Sequence, residues 1–432
     1  MNWLLTVFYF LVFLFIIRKL NFFIPKNIPF SLIAFAFLYK TAAGILLGYV
    51  YAVHYHGEGD TIKYFQDGNV LYSILISNPV DYLKILFGIG AEKNFYRENY
   101  FSHMFTWYNR DFDLFFNDCR TMIRVNSVIR IFSFGIYNVH VVFFSFFSFA
   151  GFTALFRFFS SAIKGNHKLF YSGMLLLPSV AFWSSGALKE AIVIFTLGSA
   201  LYFTMKFIQN KSVRNIFLLL LCFSLLTLAK FYYIIALLPG IAAWLWSINE
   251  KKIFLKFLLT HFIWFSLLFS VKFILPDYGV PQILSAKQNN FINLAIASHS
   301  GSIIHSEKLQ PAWSDVLLKS PNAFLTSLTT PITFSSGNIY ELLSSIETIF
   351  ILLILIAALL FFRKPEKANY PYLFFALSFV LITFTLVGLT TPVAGALVRY
   401  KSITLPFLLF LTIYFTDFKK IVKIFSSHGL RM

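Results

Sequence analysis

Long apolar runs, separated by short basic stretches, recur from one end of this sequence to the other. A run of about 20 mostly apolar residues, rising about 1.5 Å per residue, crosses about 30 Å of hydrocarbon as a helix. Lipid offers the backbone no hydrogen-bond partner, so each such segment must satisfy its own. Eleven runs qualify, at roughly 2–17, 29–53, 138–156, 169–187, 190–206, 215–229, 232–248, 257–275, 342–362, 371–388 and 402–416. The sequence therefore predicts an all-α, polytopic integral membrane protein, with residues 1–432 forming a single membrane domain. Only 12% of the residues are charged, against about a quarter in a soluble domain. The first run is read as a retained span, because no basic residue precedes it and no small-residue cleavage site follows.

Basic residues in loops mark the cytoplasmic side. Arg18, Lys19 and Lys26 open one set of loops, followed by Arg157, Lys164, Lys168, then Lys206, Lys211, Arg214. The set continues with Lys251, Lys252, Lys256, then Arg363, Lys364, Lys367, and ends with Lys419, Lys420, Lys423, Arg431. It holds 19 basic and 3 acidic residues, and the opposite side 16 and 15. The net charge of +18 is thus a topology signal and not a nucleic-acid footprint. It predicts an amino terminus outside and a carboxyl terminus in the cytoplasm. Two long segments, 54–137 and 276–341, then lie outside. The first carries stretches of helical apolar spacing around Tyr64–Leu75 and Val80–Phe87, expected to lie in the membrane interface. Cys119 sits in a polar loop and Cys222 in an apolar run, which predicts neither a disulfide nor a thiolate metal site.

Three polar constellations stand out. In His54-Tyr55-His56-Gly57-Glu58-Gly59-Asp60-Thr61, alternate side chains of an extended chain would share one side. Asp60 and Glu58 are candidate general bases, and His54 and His56 with them a candidate site for a divalent cation. The other reading is an interfacial turn whose carboxylates pair with bases or cap a helix. Pro178–Glu190 interrupts an apolar stretch, and charge at membrane depth faces a cavity or a partner. Here Lys189 is a candidate phosphate ligand, Glu190 and Trp183 candidate sugar contacts; an exposed outer hairpin is the alternative. In Thr390–Lys401, Arg399 offers a planar fork to phosphate and Tyr400 stands beside it, or the pair anchors a helix end at the interface. Lys230 is a further candidate phosphate ligand or a snorkelling lysine. Lys287, Gln288, Asn289 and Asn290 open a polar segment in the late outer loop, and His299 follows as a loop histidine or a base. Arg120, Arg124 and Arg130 either line an anionic path or lie on the membrane surface.

On Glu58-Gly59-Asp60 the chain resembles the GT-C superfamily of polytopic glycosyltransferases, whose early outer loop carries an acidic motif. The Gly59-Asp60-Thr61-x-x-Tyr64 run also looks like an early outer loop of O-antigen-type polysaccharide polymerases, and Arg399-Tyr400 is similar to late basic residues of both groups. The acidic loop here follows the second span, whereas in the GT-C group it usually follows the first. The resemblance implies Asp60 as catalytic base with Glu58 its companion, and a polyprenyl-phosphate-linked saccharide as donor. It also implies location in the bacterial inner (plasma) membrane and a role in envelope glycan assembly. Two other classes fit the sequence: a transporter or flippase for an anionic lipid-linked substrate, with Lys189, Glu190 and Lys230 along its path, and a scaffold subunit docking through its outer loops.

Overall fold

A computed structural model describes residues 2–90, 92–108, 117–163, 165–248, 251–297, 300–304, 306–333 and 339–427. His299 lies outside them, as do Lys164, Glu250 and Arg431 of the charge pattern. The regular elements among the described residues are helices, with two isolated β-bridges. The chain opens with α1 (Asn2–Lys19), α2 (Phe30–Val53), α3 (Asp60–Ser77), α4 (Pro79–Leu86), α5 (Asn94–Asn99) and α6 (Asp118–Ser133). Then come α7 (Tyr137–Phe159), α8 (His167–Leu176), α9 (Pro178–Trp183), α10 (Lys189–Asn210), α11 (Val213–Ala229), α12 (Phe231–Ser247) and α13 (Ile253–Ile274). It closes with α14 (Val280–Ala297), α15 (Trp313–Thr329), α16 (Ile339–Leu360), α17 (Tyr370–Thr390), α18 (Ala394–Lys401), α19 (Leu405–Phe415) and α20 (Phe418–Ser427).

Among the described residues seven helices are long and apolar enough to cross a membrane: α1, α2, α7, α10, α13, α16 and the stretch Lys367–Thr390 that contains α17. An eighth is added if α18 and α19, which meet at 62°, count as one broken span. The chain is thus a multi-pass membrane protein in its helices, with fewer full-length spans than the eleven expected. With α18 and α19 counted as one span, three runs account for the difference. Run 169–187 is broken: Leu177 is extended, with φ −55° and ψ 124°, and Pro178 starts a new helix. The ring of a proline disfavours helical backbone in the residue before it and removes an N–H from the ladder. Runs 215–229 and 232–248 are the 17-residue helices α11 and α12. They are parted by Lys230, whose φ of −162° and ψ of 99° end α11.

Contacts divide the chain into two compact units, Met1–Phe158 with Val180–Ile234, and Phe159–Ser179 with Ile235–Met432. In the first unit α7 is central, with 83% of its apolar window buried against 17% for α1. Glycines bring α7 and α10 together: a methyl group on Gly198 would strike the backbone oxygen of Gly151, and one on Gly151 the backbone of Ile194 and Phe195. Small residues at such crossings let two backbones approach, which is how helices gain packing inside lipid. Gly198→Val is accordingly expected to lower stability by about 1–3 kcal/mol, read as a lower thermal midpoint in detergent.

The segment 54–137 is not a set of helices lying separately in the interface. It forms a hydrophobic core of its own, in which Leu71 and Ile74 of α3 meet Tyr82, Ile85, Tyr96, Phe101, Trp107 and Ile123. At the α3–α6 crossing only hydrogen fits at Gly68, against Asn126. Asp67, fully buried, accepts backbone N–H groups from Phe105 (2.7 Å) and Thr106 (2.8 Å) and the Thr106 hydroxyl. Burial nonetheless holds its carboxyl above the ordinary carboxylate range, against the pull of these donors. The arginines of α6 clamp this core: Arg120 and Arg124 donate to the carbonyls of Trp107 (3.1 Å) and Ile85 (3.0 Å) and both lie over the Trp107 ring. Arg130 lies 5.0 Å over the Tyr72 ring. Burial lowers the Arg124 guanidinium to about 10.

In the second unit, segment 276–341 holds two regular helices, α14 and α15, and is no plain loop. Helix α15 runs antiparallel along α17: Ala323 packs on Gly388, where no side chain fits, and Ser327 donates to the Phe384 carbonyl at 2.7 Å. One bridge joins Ile303 to Val393, and another joins Phe362 to Thr416 at the ends of α16 and α19.

Candidate functional site

The acidic loop folds as a turn. Positive φ values at His56 (50°), Gly57 (78°) and Gly59 (136°) reverse the chain, and the Gly57 and Glu58 N–H groups donate to the Tyr51 and Tyr55 carbonyls. Gly59 also needs its bare Cα, since a side chain would enter the Tyr51 ring. The alternation that would have gathered His54, His56, Glu58 and Asp60 requires an extended chain, so the turn does not assemble them. His54, His56 and Glu58 are exposed. Among the described residues no group of three or more His, Cys, Asp or Glu is placed to hold a metal ion. Glu58 pairs with Lys63 at 2.5 Å, and that hydrogen bond pulls its carboxyl below the ordinary range.

Asp60 is the first residue of α3 and half-buried. The helix N-terminus favours its negative charge. The neighbouring Thr61 hydroxyl fixes this end of α3 on the Tyr137 hydroxyl of α7 at 2.6 Å. Four residues on, Tyr64 lies on the same face of α3 as Asp60. Tyr64 is almost fully buried, and burial first, then the Asp60 charge, push its hydroxyl well above the ordinary range.

Residues 184–190 are all buried, which excludes an exposed Lys–Glu hairpin. The Lys189 ammonium donates to Asp118 Oδ1 at 2.5 Å, lies 3.5 Å from Cys119 Sγ and sits 5.4 Å over the Tyr64 ring. The Asp60 charge also acts on Lys189. Next to it Glu190, with no exposed surface, accepts from Lys230 at 2.8 Å, and Lys230 lies 5.8 Å from the Tyr232 ring centre. Thr121 of α6 donates to the Leu228 carbonyl at 2.8 Å, tying α6 to the end of α11. The starts of α3, α6 and α10 and the α11–α12 junction therefore bring five charges together: Asp60, Asp118, Glu190, Lys189 and Lys230. Asp60 is the half-buried member; the other four are buried. Trp183 is half-buried, edge-on to Phe182 at 5.2 Å. Ser184 accepts from Lys40, buried midway along α2, at 2.6 Å.

The second unit has its own buried polar group. Glu347 of α16 accepts the Ser179 N–H at 2.7 Å and the Ser179 hydroxyl. Lys401 donates to the Thr330 carbonyl at 2.5 Å and to the Thr348 hydroxyl at 3.3 Å. Beside it on α18, Arg399 and Tyr400 are half-buried, the guanidinium 5.9 Å from the Tyr400 ring centre and that ring 6.1 Å from Phe291.

Of the residues singled out in the sequence, Asp60, Lys189, Glu190 and Lys230 meet in the first unit, and Arg399 and Tyr400 lie in the second. Sequence reasoning passed over Asp118 and Glu347. Glu347 had a signal, a lone carboxylate inside an apolar run. Asp118 had none, because its place after Asn117 reads as an ordinary helix start. Cys119, expected in a polar loop, is buried in α6 beside Tyr64 and Lys189. The chain matches no protein-family model, no curated protein and no solved structure.

Proposed function

We propose that this chain is a membrane glycosyltransferase or glycan polymerase using a polyprenyl-phosphate-linked saccharide on the outer side of the membrane. The observation that carries the reading is the placement of Asp60: a half-buried carboxylate at a helix start, at the rim of buried, oppositely charged pairs. Such a group has access to an incoming hydroxyl, as a general base requires, and its charge interacts with that of Lys189. Lys189 and Lys230 are already matched by Asp118 and Glu190, and the five charges sum to −1. That balance suits a neutral acceptor hydroxyl better than a diphosphate. Within the second unit, Arg399 is the candidate diphosphate contact, its planar fork suiting bidentate phosphate binding, with Tyr400 beside it; within the first unit, Trp183 is the candidate contact to a sugar ring.

Two pairings within the second unit agree with the expected sharing of faces between segments. The basic end of α16 at Arg363 bonds to Phe415, and the Asp417 N–H to Phe361, so two segments expected inside lie together. The Ile303–Val393 bridge likewise joins two segments expected outside. The competing transporter reading is favoured by Lys40, a fully buried lysine within a span. One assay separates them. Purified protein in nanodiscs, given a polyprenyl-diphosphate-linked oligosaccharide and no gradient, is expected to release polyprenyl diphosphate and lengthen the glycan. Movement of the lipid-linked sugar across sealed vesicles with no new glycosidic bond would overturn the enzyme reading.

A further inference from the structure

Beside the α15–α17 contact the second unit holds an open cleft of about 320 Å³, near the lower end of the range of small-molecule sites, about 300–1,000 Å³. One wall is a stripe of α15. Lys319, Asn322 and Thr326, at positions i, i+3 and i+7, present an ammonium, an amide and a hydroxyl in a row. Asn322 is exposed and Thr326 half-buried, and neither side chain hydrogen-bonds to another described residue. Glu307 faces them from segment 306–309, and Thr391 and Pro392 from the end of α17. The wall behind Glu307 is built rigidly: buried Gln288 accepts the Leu309 N–H at 2.7 Å and donates to the Glu307 carbonyl at 3.2 Å. Two stretches marked in the sequence thus meet here, the polar run beginning at Lys287 and the Thr390–Lys401 constellation.

The charges decide the ligand class. Lys319 is held by Asp315 at 3.0 Å and by Glu307 at 3.6 Å. Two carboxylates against one ammonium leave the cleft unsuited to phosphate. Its polar rim is equally unsuited to a lipid tail. Amide and hydroxyl groups along one wall, with the flat apolar edge of Pro392 opposite, match a ring bearing hydroxyls. We propose that this cleft binds a neutral saccharide unit of the acceptor glycan. The proposal rests on the transferase reading for the word acceptor, and on the cleft alone for the word saccharide.

Both native cysteines are buried, so Asn322→Cys introduces a single exposed thiol into the full-length protein. Its reaction with a charged maleimide is followed in the presence of maltose, lactose or diacetylchitobiose. At about four times the Kd, a sugar that occupies the cleft slows labelling about fivefold. Thr326→Trp in the same background fills the cleft and is expected to abolish the protection while labelling continues. Thr326→Cys is the alternative reporter if Asn322→Cys does not fold. Labelling unaffected by all three sugars overturns the site, and protection by a sugar phosphate at lower concentration than by its neutral parent overturns the ligand class. Assaying glycan transfer alongside protection separates the two proposals. Protection that survives while transfer is absent even in the wild type keeps the cleft and removes the transferase reading; transfer without protection removes the cleft alone.

Discussion

Asp118→Leu is expected to be the most destabilising single substitution in the first unit, costing about 3–5 kcal/mol, the range for removing one partner of a buried ion pair. The side chains of Lys189 and Asp118 are 4% and 8% exposed, so water cannot take over from the lost carboxylate. Cys119 and the Tyr64 ring, which also face the ammonium, do not replace a carboxylate at 2.5 Å, and the Asp60 charge that also acts on it is only half-buried. Removing both charges has a different outcome. Asp118→Leu with Lys189→Met deletes the desolvation penalty together with the attraction, and such exchanges are often neutral or stabilising. The double variant is therefore expected to recover most of the thermal midpoint in detergent. It is not expected to recover activity, because the cation that interacts with Asp60 is gone. A single-variant loss within about 0.5 kcal/mol, the level of an ordinary surface change, would show that water reaches the pair and would undo the description of a dry charged site.

Asp60→Asn is expected to reduce glycan transfer by about 10²–10⁴-fold, the contribution of a positioned general base. The change keeps the shape of the side chain and the start of α3, so the thermal midpoint and donor affinity should stay near wild type. Loss confined to kcat is the signature of a group acting in the transition state. Glu58→Gln is the internal control. Glu58 is exposed and, among the described residues, pairs with Lys63, so its removal is expected to change little. Unimpaired transfer by Asp60→Asn would end the assignment.

The acidic motif shows how far a sequence pattern carries. The structure puts Asp60, read from that motif as a candidate base, half-buried at the start of α3, where its charge acts on Lys189. The imagined convergence of His54, His56 and Glu58 with Asp60 failed because three positive φ values curl the chain there. Pro178–Glu190 was legible as a break, since proline and clustered small residues interrupt a helix locally. Its partners were not legible: Lys189 reaches Asp118 across 71 residues, and Ser179 reaches Glu347 across 168. Nor was the path of α15, whose residues read as outer loop because Asp315, Lys319 and Pro321 keep it below the apolarity of a span. It packs along α17 through Gly388 all the same.

By itself the sequence determined the helical class, the long apolar spans and the asymmetry of basic loops. These follow from hydrophobic length, backbone satisfaction and loop charge, which act within a span or at its ends. Only the tertiary structure decided which charges are buried together, which breaks are turns and where a polar cleft opens. Those outcomes depend on contacts between residues far apart in the chain, and the free energy of a buried charge is set by the partner it meets.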